Sequence, residues 1–473
     1  MTVTQSAHDV RPPAAAGTFY PADPTRLTRL IDDYLAQATR LEPEPSIVIV
    51  PHAGYEYSGP VAAHGFKQII DRPYERVIVL GFNHHYSYGF DGAAVWPAGA
   101  WRTPLGEVTI DEAFVQRLLA AGPVFKPDRS IHLGEHSLEV EVPFIQRVLP
   151  GVPIVPISIG RPTLENAQAI AAGLAQVLHD TMGTLVVTST DLSHYPPYQE
   201  AVQIDQTTIK TILSLDPRDL EEWSEKALSA HIPDLATVMC GSGPVMVAML
   251  LARHIGAVQV TLLHYANSGD VPSGSQGSVV GYAAIEFVQP TTLSAEDKSV
   301  LLKLARDTLD QYLSEHRLPA FTPASAIMQQ PRATFVTLRQ KQSHELRGCR
   351  GEVMAQYPLW ESVQQVSVLS ATDDPRFRPV RHAELAGLQI EISVLTPMRL
   401  ARDPSEVVVG KHGVMIRQGL RGGLFLPQVP VEQGWDHDEY LSNLCAMKAG
   451  LPADAWRKKD VQLYIFEAEI FEE

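Results

Sequence analysis

The stretch Ser46–Gly59, SIVIVPHAGYEYSG, places a histidine directly behind a run of apolar, mostly β-branched residues. The run 47–50 is typical of a strand that is buried on both faces of a sheet. Pro51 ends the run, and His52 follows at once. A core strand does not need a titratable side chain that can bind metal. The stretch therefore predicts a strand that delivers a functional residue to the edge of a sheet, with glycines that let the loop fold closely around it.

Similar apolar runs recur along the first half of the chain, separated by segments with helical spacing. The runs are RVIVL (76–80), PIVPISI (153–159), TLVVTS (184–189), VQVTLL (258–263) and VVGYAAIEF (279–287). Alternation of strands and helices predicts an α/β fold with a largely parallel or mixed sheet flanked by helices. The stretch 97–110 fits this pattern poorly, and we interpret it as a β-excursion.

A second domain follows a break in this pattern. We interpret residues 289–293 as a linker. Ser294 is followed by Asp297 three positions later, and this spacing predicts the capped start of a helix. Beyond it, strands and helices mix in an α+β pattern. The expected organisation is a first domain over residues 8–288 and a second over residues 294–473, the second within the usual domain size.

The composition excludes several classes of protein. The chain has 473 residues, of which 45% are hydrophobic and 19% charged, and its net charge is −16. This acidic balance argues against binding to DNA, which requires clustered positive charge. The sequence has no apolar run long enough to span a bilayer and no signal-peptide pattern, so we expect a cytoplasmic protein without a membrane partner. Three cysteines do not form a disulfide framework.

Polar residues that can bind metal follow the predicted strands repeatedly. In open α/β sheets the carboxyl ends of strands form the ligand-binding edge, so residues that are far apart in sequence converge there. The residues placed this way are His52, His84, His85, Asp191, His194 and His264. We favour His84 over His85 as a ligand because it comes first after its strand, while a strand-capping role for His264 stays open.

Two further segments add candidates. Glu135 and His136 lie in HLGEHSLEVEV (132–142), where acids and histidines are unusually dense, although a structural hydrogen-bonded pair would also explain them. Cys240 precedes a Gly-Ser-Gly-Pro run and an apolar helix, whose N-terminus can stabilise a thiolate. A thiolate is a ligand for iron, copper or zinc, whereas a lone cysteine is more often a buried apolar residue.

The motifs AGTFYPAD (16–23), PHAGYEYSG (51–59), GFNHH (81–85), TSTDLSHY (188–195) and MCGSGP (239–244) resemble the Memo family in sequence and in order. The motifs LRGCRG (346–351), DPRFRPV (374–380) and GLFLPQVPVEQGWDHDEYL (423–441) resemble the AMMECR-type domain. A chain that joins both is similar to the AmmeMemoRadiSam group of prokaryotic proteins. The resemblance therefore implies a radical-SAM protein as a partner.

The resemblance also implies a fold and a site. Memo proteins are similar to class III extradiol dioxygenases, which hold non-haem iron(II) with two histidines and a carboxylate. This implies that His52 and His84 bind iron and that His194 lies where those enzymes have an acid/base histidine. We expect iron, or copper, to be bound by His52, His84 and Cys240, with His194 as an acid/base residue or a residue behind the ligands, oriented by Asp191. The Memo pattern has a cysteine, here Cys240, where the dioxygenases have glutamate. A thiolate ligand changes the metal's electronics, so ring cleavage does not follow from the scaffold alone.

The second domain offers one candidate site. Arg347, Cys349 and Arg350 surround two glycines, which is compatible with an anion pocket around a reactive thiol or with a tight turn carrying solvated arginines. In GWDHDEYL, Trp435 as a packing anchor and Asp436 as a helix N-cap explain the pattern more simply than a metal site.

These observations leave three functional hypotheses. The first is a non-haem metal-dependent oxidoreductase, dioxygenase-like, that acts on a small molecule or modified peptide, with the second domain as an accessory module. The second is a binding module that recognises a peptide or partner protein without turnover. The third is a scaffold that serves the radical-SAM partner.

Overall fold

The computed structural model describes residues 10–41, 44–86, 89–178, 183–290, 292–323, 325–401, 403–419, 421–458 and 460–473. The chain divides into two compact units, Met1–Gln289 and Pro290–Glu473, each with its own hydrophobic core. Residues 8 and 9 of the expected first domain and residue 291 of the expected linker lie outside the described residues.

The first unit is built on an eight-stranded mixed sheet. Its strand order is β10-β11-β2-β9-β3-β8-β4-β7, and the four central strands β2, β9, β3 and β8 run parallel. The strands of the unit are β1 (Val10–Arg11), β2 (Pro45–Val50), β3 (Arg76–Phe82), β4 (Ala93–Val95), β5 (Ala100–Thr103), β6 (Gly106–Thr109), β7 (Phe125–Pro127), β8 (Ile154–Ile159), β9 (Thr184–Ser189), β10 (Gln259–Asn267) and β11 (Gly281–Val288). This arrangement confirms the α/β fold predicted from the alternating apolar runs.

Helices cover this sheet and bury its apolar side chains. They are α1 (Pro24–Gln37), α2 (Gly59–Lys67), α3 (Glu112–Ala120), α4 (Val142–Val148), α5 (Leu164–Leu178), α6 (Tyr198–Leu213), α7 (Pro217–Ser229) and α8 (Ser242–Ile255), with a 3-10 turn at Glu139–Glu141. The central strands β2, β3 and β8 are almost fully buried, as their continuous Val and Ile runs predict. None of the described helices combines the length and apolar character that a membrane crossing requires.

Two features refine the sequence-based picture. The predicted β-excursion is the antiparallel hairpin β5–β6, which joins β1 in a separate small sheet. Strands β10 and β11 are antiparallel to their neighbours and occupy one side of the main sheet. The sheet is therefore parallel at its centre, where the helical connections α2 to α5 make parallel pairing geometrically accessible. At the other edge β4 is antiparallel to β8 and parallel to β7.

The second unit has two four-stranded antiparallel sheets, in the orders β13-β12-β14-β19 and β15-β18-β16-β17. Its strands are β12 (Thr334–Gln340), β13 (Leu346–Gly351), β14 (Leu388–Leu395), β15 (Arg399–Leu400), β16 (Gly413–Gln418), β17 (Arg421–Phe425), β18 (Gln462–Phe466) and β19 (Ala468–Glu472). Its helices are α9 (Ala295–Glu315), α10 (Ala326–Gln329), α11 (Leu359–Thr372), α12 (Gln428–Gln433) and α13 (His437–Asn443). A π-helix follows at Leu444–Ala449, with 3-10 turns at His382–Gly387, Pro404–Glu406 and Ala455–Arg457.

Helix starts in this unit follow the sequence signals. Ser294 caps α9 in a full capping box with Asp297, as its spacing predicts. Asp436 caps α13 in the same way, and the ring of Trp435 packs against Phe425. The structure thus confirms the simpler interpretation of the GWDHDEYL segment.

Candidate metal site

Three adjacent parallel strands deliver the principal side chains of the site. His52 follows β2, His84 follows β3, and Asp191 and His194 follow β9, which lies between the other two. Because the carboxyl ends of parallel strands meet at one edge, these residues converge although they are up to about 140 positions apart. The rings of His52 and His84 stand edge to face, with centroids 5.5 Å apart.

Glu135 fixes the orientation of His84. Its Oε1 accepts a hydrogen bond from His84 Nδ1 at 2.9 Å, and its Oε2 accepts one from the His84 backbone amide at 2.8 Å. The amides of His136 and Ser137 also donate to Oε1. With Nδ1 engaged, the Nε2 atom of His84 remains available as a ligand.

His136 belongs to the same cluster. Its ring stacks on His84 with centroids 4.4 Å apart, and Phe19 stacks on the ring of His136 at 4.1 Å. The donor atoms of His52, His84 and His136 lie within 4.8 Å of one another. The structure therefore brings together two residues expected as ligands and one expected only near the pocket.

Cys240 approaches His52 from another direction. Its Sγ lies 3.4 Å from His52 Nε2 and accepts a hydrogen bond from the Asp191 amide at 3.3 Å. Donor atoms of His52, Asp191 and Cys240 form a second group within 4.8 Å. The expected trio of His52, His84 and Cys240 is thus divided between two groups that share His52.

Asp191 and His194 are arranged differently from the expectation. Asp191 Oδ1 accepts hydrogen bonds from the backbone amides of His52 and Ala53, so it holds the loop after β2. His194 Nδ1 lies 2.9 Å from the carbonyl oxygen of Leu192, and this backbone contact orients its ring instead of Asp191. With Nδ1–H donating to that carbonyl, Nε2 of His194 can accept a proton.

Burial controls the protonation of the cluster. It lowers the pKa of His52 and that of His194, and it lowers the pKa of His136 to about 4. Burial also acts to raise the pKa of Glu135, but the hydrogen bond and charge of His84, with smaller contributions from His136 and the Ser137 amide, bring it to about 2. The lowered pKa values favour neutral imidazoles at His52, His136 and His194 beside an ionised Glu135, and neutral imidazole is the form that binds a metal cation.

The pKa values of Asp191 and Cys240, which are grouped with His52, are raised and not lowered. Burial raises the pKa of Asp191 to about 7, against the hydrogen bonds from the His52 and Ala53 amides. Burial and the nearby Asp191 raise the pKa of the Cys240 thiol well above its usual value. This thiol is therefore protonated at neutral pH unless a bound cation displaces the proton.

Behind His52 lies a buried polar pair that the sequence analysis missed. Ser189 Oγ lies 2.8 Å from His52 Nδ1 and 2.8 Å from Glu141 Oε1. Both residues are fully buried. Glu141 lies in the segment 132–142, which is dense in acids and histidines, but only the fold shows that it contacts Ser189, the last residue of β9.

The remaining candidates lie elsewhere. His85 is exposed, and its backbone amide donates a hydrogen bond to Asn83 Oδ1. It follows His84 in the chain but belongs to neither donor group. His264 lies within β10 and not past a strand end, because β10 continues to Asn267, and its ring stacks on His64 at 4.3 Å. The sequence placed His264 past a strand end and left a strand-capping role open, and its position inside β10 agrees with neither.

Both arginines of the candidate thiol site in the second unit are paired with carboxylates. Arg347 pairs with Glu384 at 3.1 Å and Arg350 pairs with Asp373 at 3.2 Å. Cys349 lies in β13, and its Sγ accepts a hydrogen bond from the Thr337 hydroxyl at 3.4 Å. Since both arginines have carboxylate partners, the segment is better described as a paired edge strand than as an open anion pocket.

Comparison with known proteins shows which families the two units resemble. The sequence profile of the family described as Memo-like protein matches residues 11–286, and that of AMMECR1 matches residues 302–471. A MEMO1 family protein of Ignicoccus hospitalis is 38% identical over 296 residues, which cover 59% of this chain and 99% of the relative. A MEMO1 family protein of Methanopyrus kandleri is 37% identical, with 59% and 98% covered.

A solved structure, the uncharacterized protein PH0010 from Pyrococcus horikoshii, is 39% identical. It covers 38% of this chain and 93% of its own, with a TM-score of 0.35. The profile match extends over more than half of the chain and contains every residue of the histidine cluster. The chain belongs to the Memo family, with an AMMECR1 domain fused behind it.

Proposed function

We propose that the first unit binds a transition-metal cation at the histidine cluster and uses it in an oxidoreductase reaction of the dioxygenase-like class. Iron(II) is the first candidate and copper the second. The substrate would be a small molecule or a modified peptide. The observation that carries the proposal is the convergence of two imidazoles whose Nδ1 atoms are engaged elsewhere, His52 and His84, beside a third imidazole, a carboxylate and a thiol.

The donor set fits such a cation. Imidazole nitrogens suit iron, copper and zinc, and two histidines with one carboxylate are typical of non-haem iron(II) oxygenases. His52 and His84 would supply the two imidazoles, with His136 as a third donor in their group. Asp191 and Cys240 are the donors grouped with His52 alone. The ionised Glu135 hydrogen-bonded to His84 is the outer carboxylate that metal-binding histidines commonly have. When bound, the cation would supply Lewis-acid polarisation and one-electron chemistry.

The chain's own residues would bind the substrate and handle its proton. His52 is buried while His84 and His136 are partly exposed, so the cluster has one solvent-facing side on which a ligand can enter. His194, with Nε2 free to accept a proton, is the candidate general base or acid next to that side. Phe19, stacked on His136, would limit the width of the entrance.

Metal analysis of anaerobically purified protein tests this proposal. We expect about one iron or copper per chain in the wild type and its loss in His52→Ala and His84→Ala. His264→Ala removes a histidine outside the cluster and should keep the metal. A folded wild-type protein that takes up neither metal would overturn the proposal and favour the binding-module hypothesis.

A further inference from the structure

The hydroxyl of Ser189 has more polar neighbours than one proton can serve. Its Oγ lies 2.6 Å from the carbonyl oxygen of Ser137, 2.8 Å from Glu141 Oε1 and 2.8 Å from His52 Nδ1. All four residues are buried, so these groups are shielded from bulk solvent. The three interactions must therefore be satisfied within the protein.

Counting protons assigns each donor. A serine hydroxyl donates one hydrogen bond and accepts two, and a carbonyl oxygen only accepts. If Ser189 donated to Glu141, its oxygen would face the Ser137 carbonyl oxygen at 2.6 Å with no hydrogen between them. The Ser189 proton therefore belongs to the Ser137 carbonyl, and the other two neighbours must both donate to Oγ.

We propose that Glu141 is a neutral carboxylic acid that donates its proton to Ser189, and that His52 donates Nδ1–H to the same oxygen. Ser189 is then a positioning residue that fixes His52 in the tautomer whose Nε2 carries no hydrogen and faces Cys240. The role toward a metal rests on the proposed function, whereas the protonation of Glu141 does not.

The surroundings of Glu141 support the neutral form independently of the proton count. Its second oxygen, Oε2, is buried and has no hydrogen-bond partner among the described residues. An ionised carboxylate with an unpaired buried oxygen would be strongly disfavoured. Burial, and then the nearby Asp191, accordingly raise the pKa of Glu141 well above its usual range.

The two principal histidines are thus held by unlike partners. His84 donates to the ionised Glu135, which makes its ring a stronger donor, while His52 donates to a neutral hydroxyl. As ligands, the two imidazoles would therefore differ in electron donation, with the carboxylate-bound His84 ring the stronger donor.

Infrared difference spectra of the metal-free protein at neutral pH test the protonation. Wild type minus Glu141→Gln should show the carbonyl-stretch band of a protonated carboxylic acid. Glu107→Gln, which removes an exposed carboxylate paired with Arg102, should show only carboxylate bands. A Glu141 difference spectrum with carboxylate bands alone would overturn the proposal.

Iron(II) titration of Ser189→Ala tests the positioning role. We expect its affinity to fall by about 10-fold or more relative to wild type, as outer-shell substitutions commonly cause. Ser158→Ala deletes another buried hydroxyl, one without a partner among the described residues, and should leave affinity unchanged.

Unchanged iron(II) affinity in a folded Ser189→Ala protein would refute the positioning role of Ser189. A wild type that binds no iron would instead refute the proposed function, and a misfolded Ser189→Ala would leave the infrared result to decide.

Discussion

Glu135 shows how one side chain can organise a site. It accepts four hydrogen bonds, from the ring and amide of His84 and from the amides of His136 and Ser137. The sequence could place this residue near the pocket because acids and histidines are dense there. The sequence could not show that Glu135 accepts a hydrogen bond from Nδ1 of His84, because that contact joins residues 51 positions apart.

Replacing Glu135 with Gln should weaken metal binding by about 10- to 100-fold, because the amide group cannot accept from both the ring and the backbone of His84. Iron(II) titration of the folded variant measures this change. Glu286→Gln alters another buried carboxyl group, on β11 outside the cluster, and is the matched control. Equal affinities for Glu135→Gln and wild type would show that Glu135 does not position the ligand.

Asp205 gives a prediction for stability against pH. It is fully buried, and its oxygens accept from the Ser193 amide and the Tyr265 hydroxyl. Burial raises its pKa from about 4 to about 6, so the folded state holds this proton more tightly than the unfolded state. Its contribution to the free energy of unfolding should therefore be undiminished below about pH 4 and decline as pH rises to about 6.

Denaturation of wild type and Asp205→Asn across this range measures the effect. The wild type should lose on the order of 1–3 kcal/mol relative to the variant between pH 4 and 7, since Asn does not ionise. A stability difference that is constant over this range would contradict the assignment.

At the scale of elements, apolar runs and helix caps were readable from the sequence. The central strands and the capped start of α9 lie where their patterns predict. Between the apolar runs of the first half, helical spacing is clear in the segments that form α2, α3, α5 and α8. It is not clear in α1, α6 and α7, because α1 and α7 are polar on much of their surface and α6 follows a loop dominated by site residues. The antiparallel pairing of β10 and β11 was also not anticipated, since apolar runs do not encode direction.

Ser294→Ala should destabilise the second unit by about 1 kcal/mol, because it removes the hydroxyl that accepts from the Asp297 amide at the start of α9. Urea denaturation monitored on the full chain measures this loss. Ser314→Ala removes an exposed hydroxyl near the end of the same helix and should change stability by less than about 0.5 kcal/mol. Equal effects of the two substitutions would mean that the cap is not formed.

At the scale of the whole molecule, the change in pattern near residue 290 predicted two domains, and the structure divides the chain between Gln289 and Pro290. The function of each unit was harder to predict from the sequence than the boundary between them. The pairing of Arg347 and Arg350 with acids on distant segments changes the interpretation of their motif, and such pairs cannot be read from a motif alone.

Residues 1–289, expressed alone, should fold and bind iron(II) with the affinity of the full chain, because the histidine cluster and its supporting contacts lie within the first unit. Circular dichroism and metal titration of the fragment check this. A folded fragment that has lost metal binding would show that the second unit contributes to the site.

The most direct test of the central claim is a crystal structure of anaerobically prepared protein loaded with iron(II), with anomalous data collected at the iron edge. The metal-site proposal predicts one strong anomalous peak within bonding distance of Nε2 of both His52 and His84. A well-ordered cluster without that peak, or a peak only at other side chains, would contradict it.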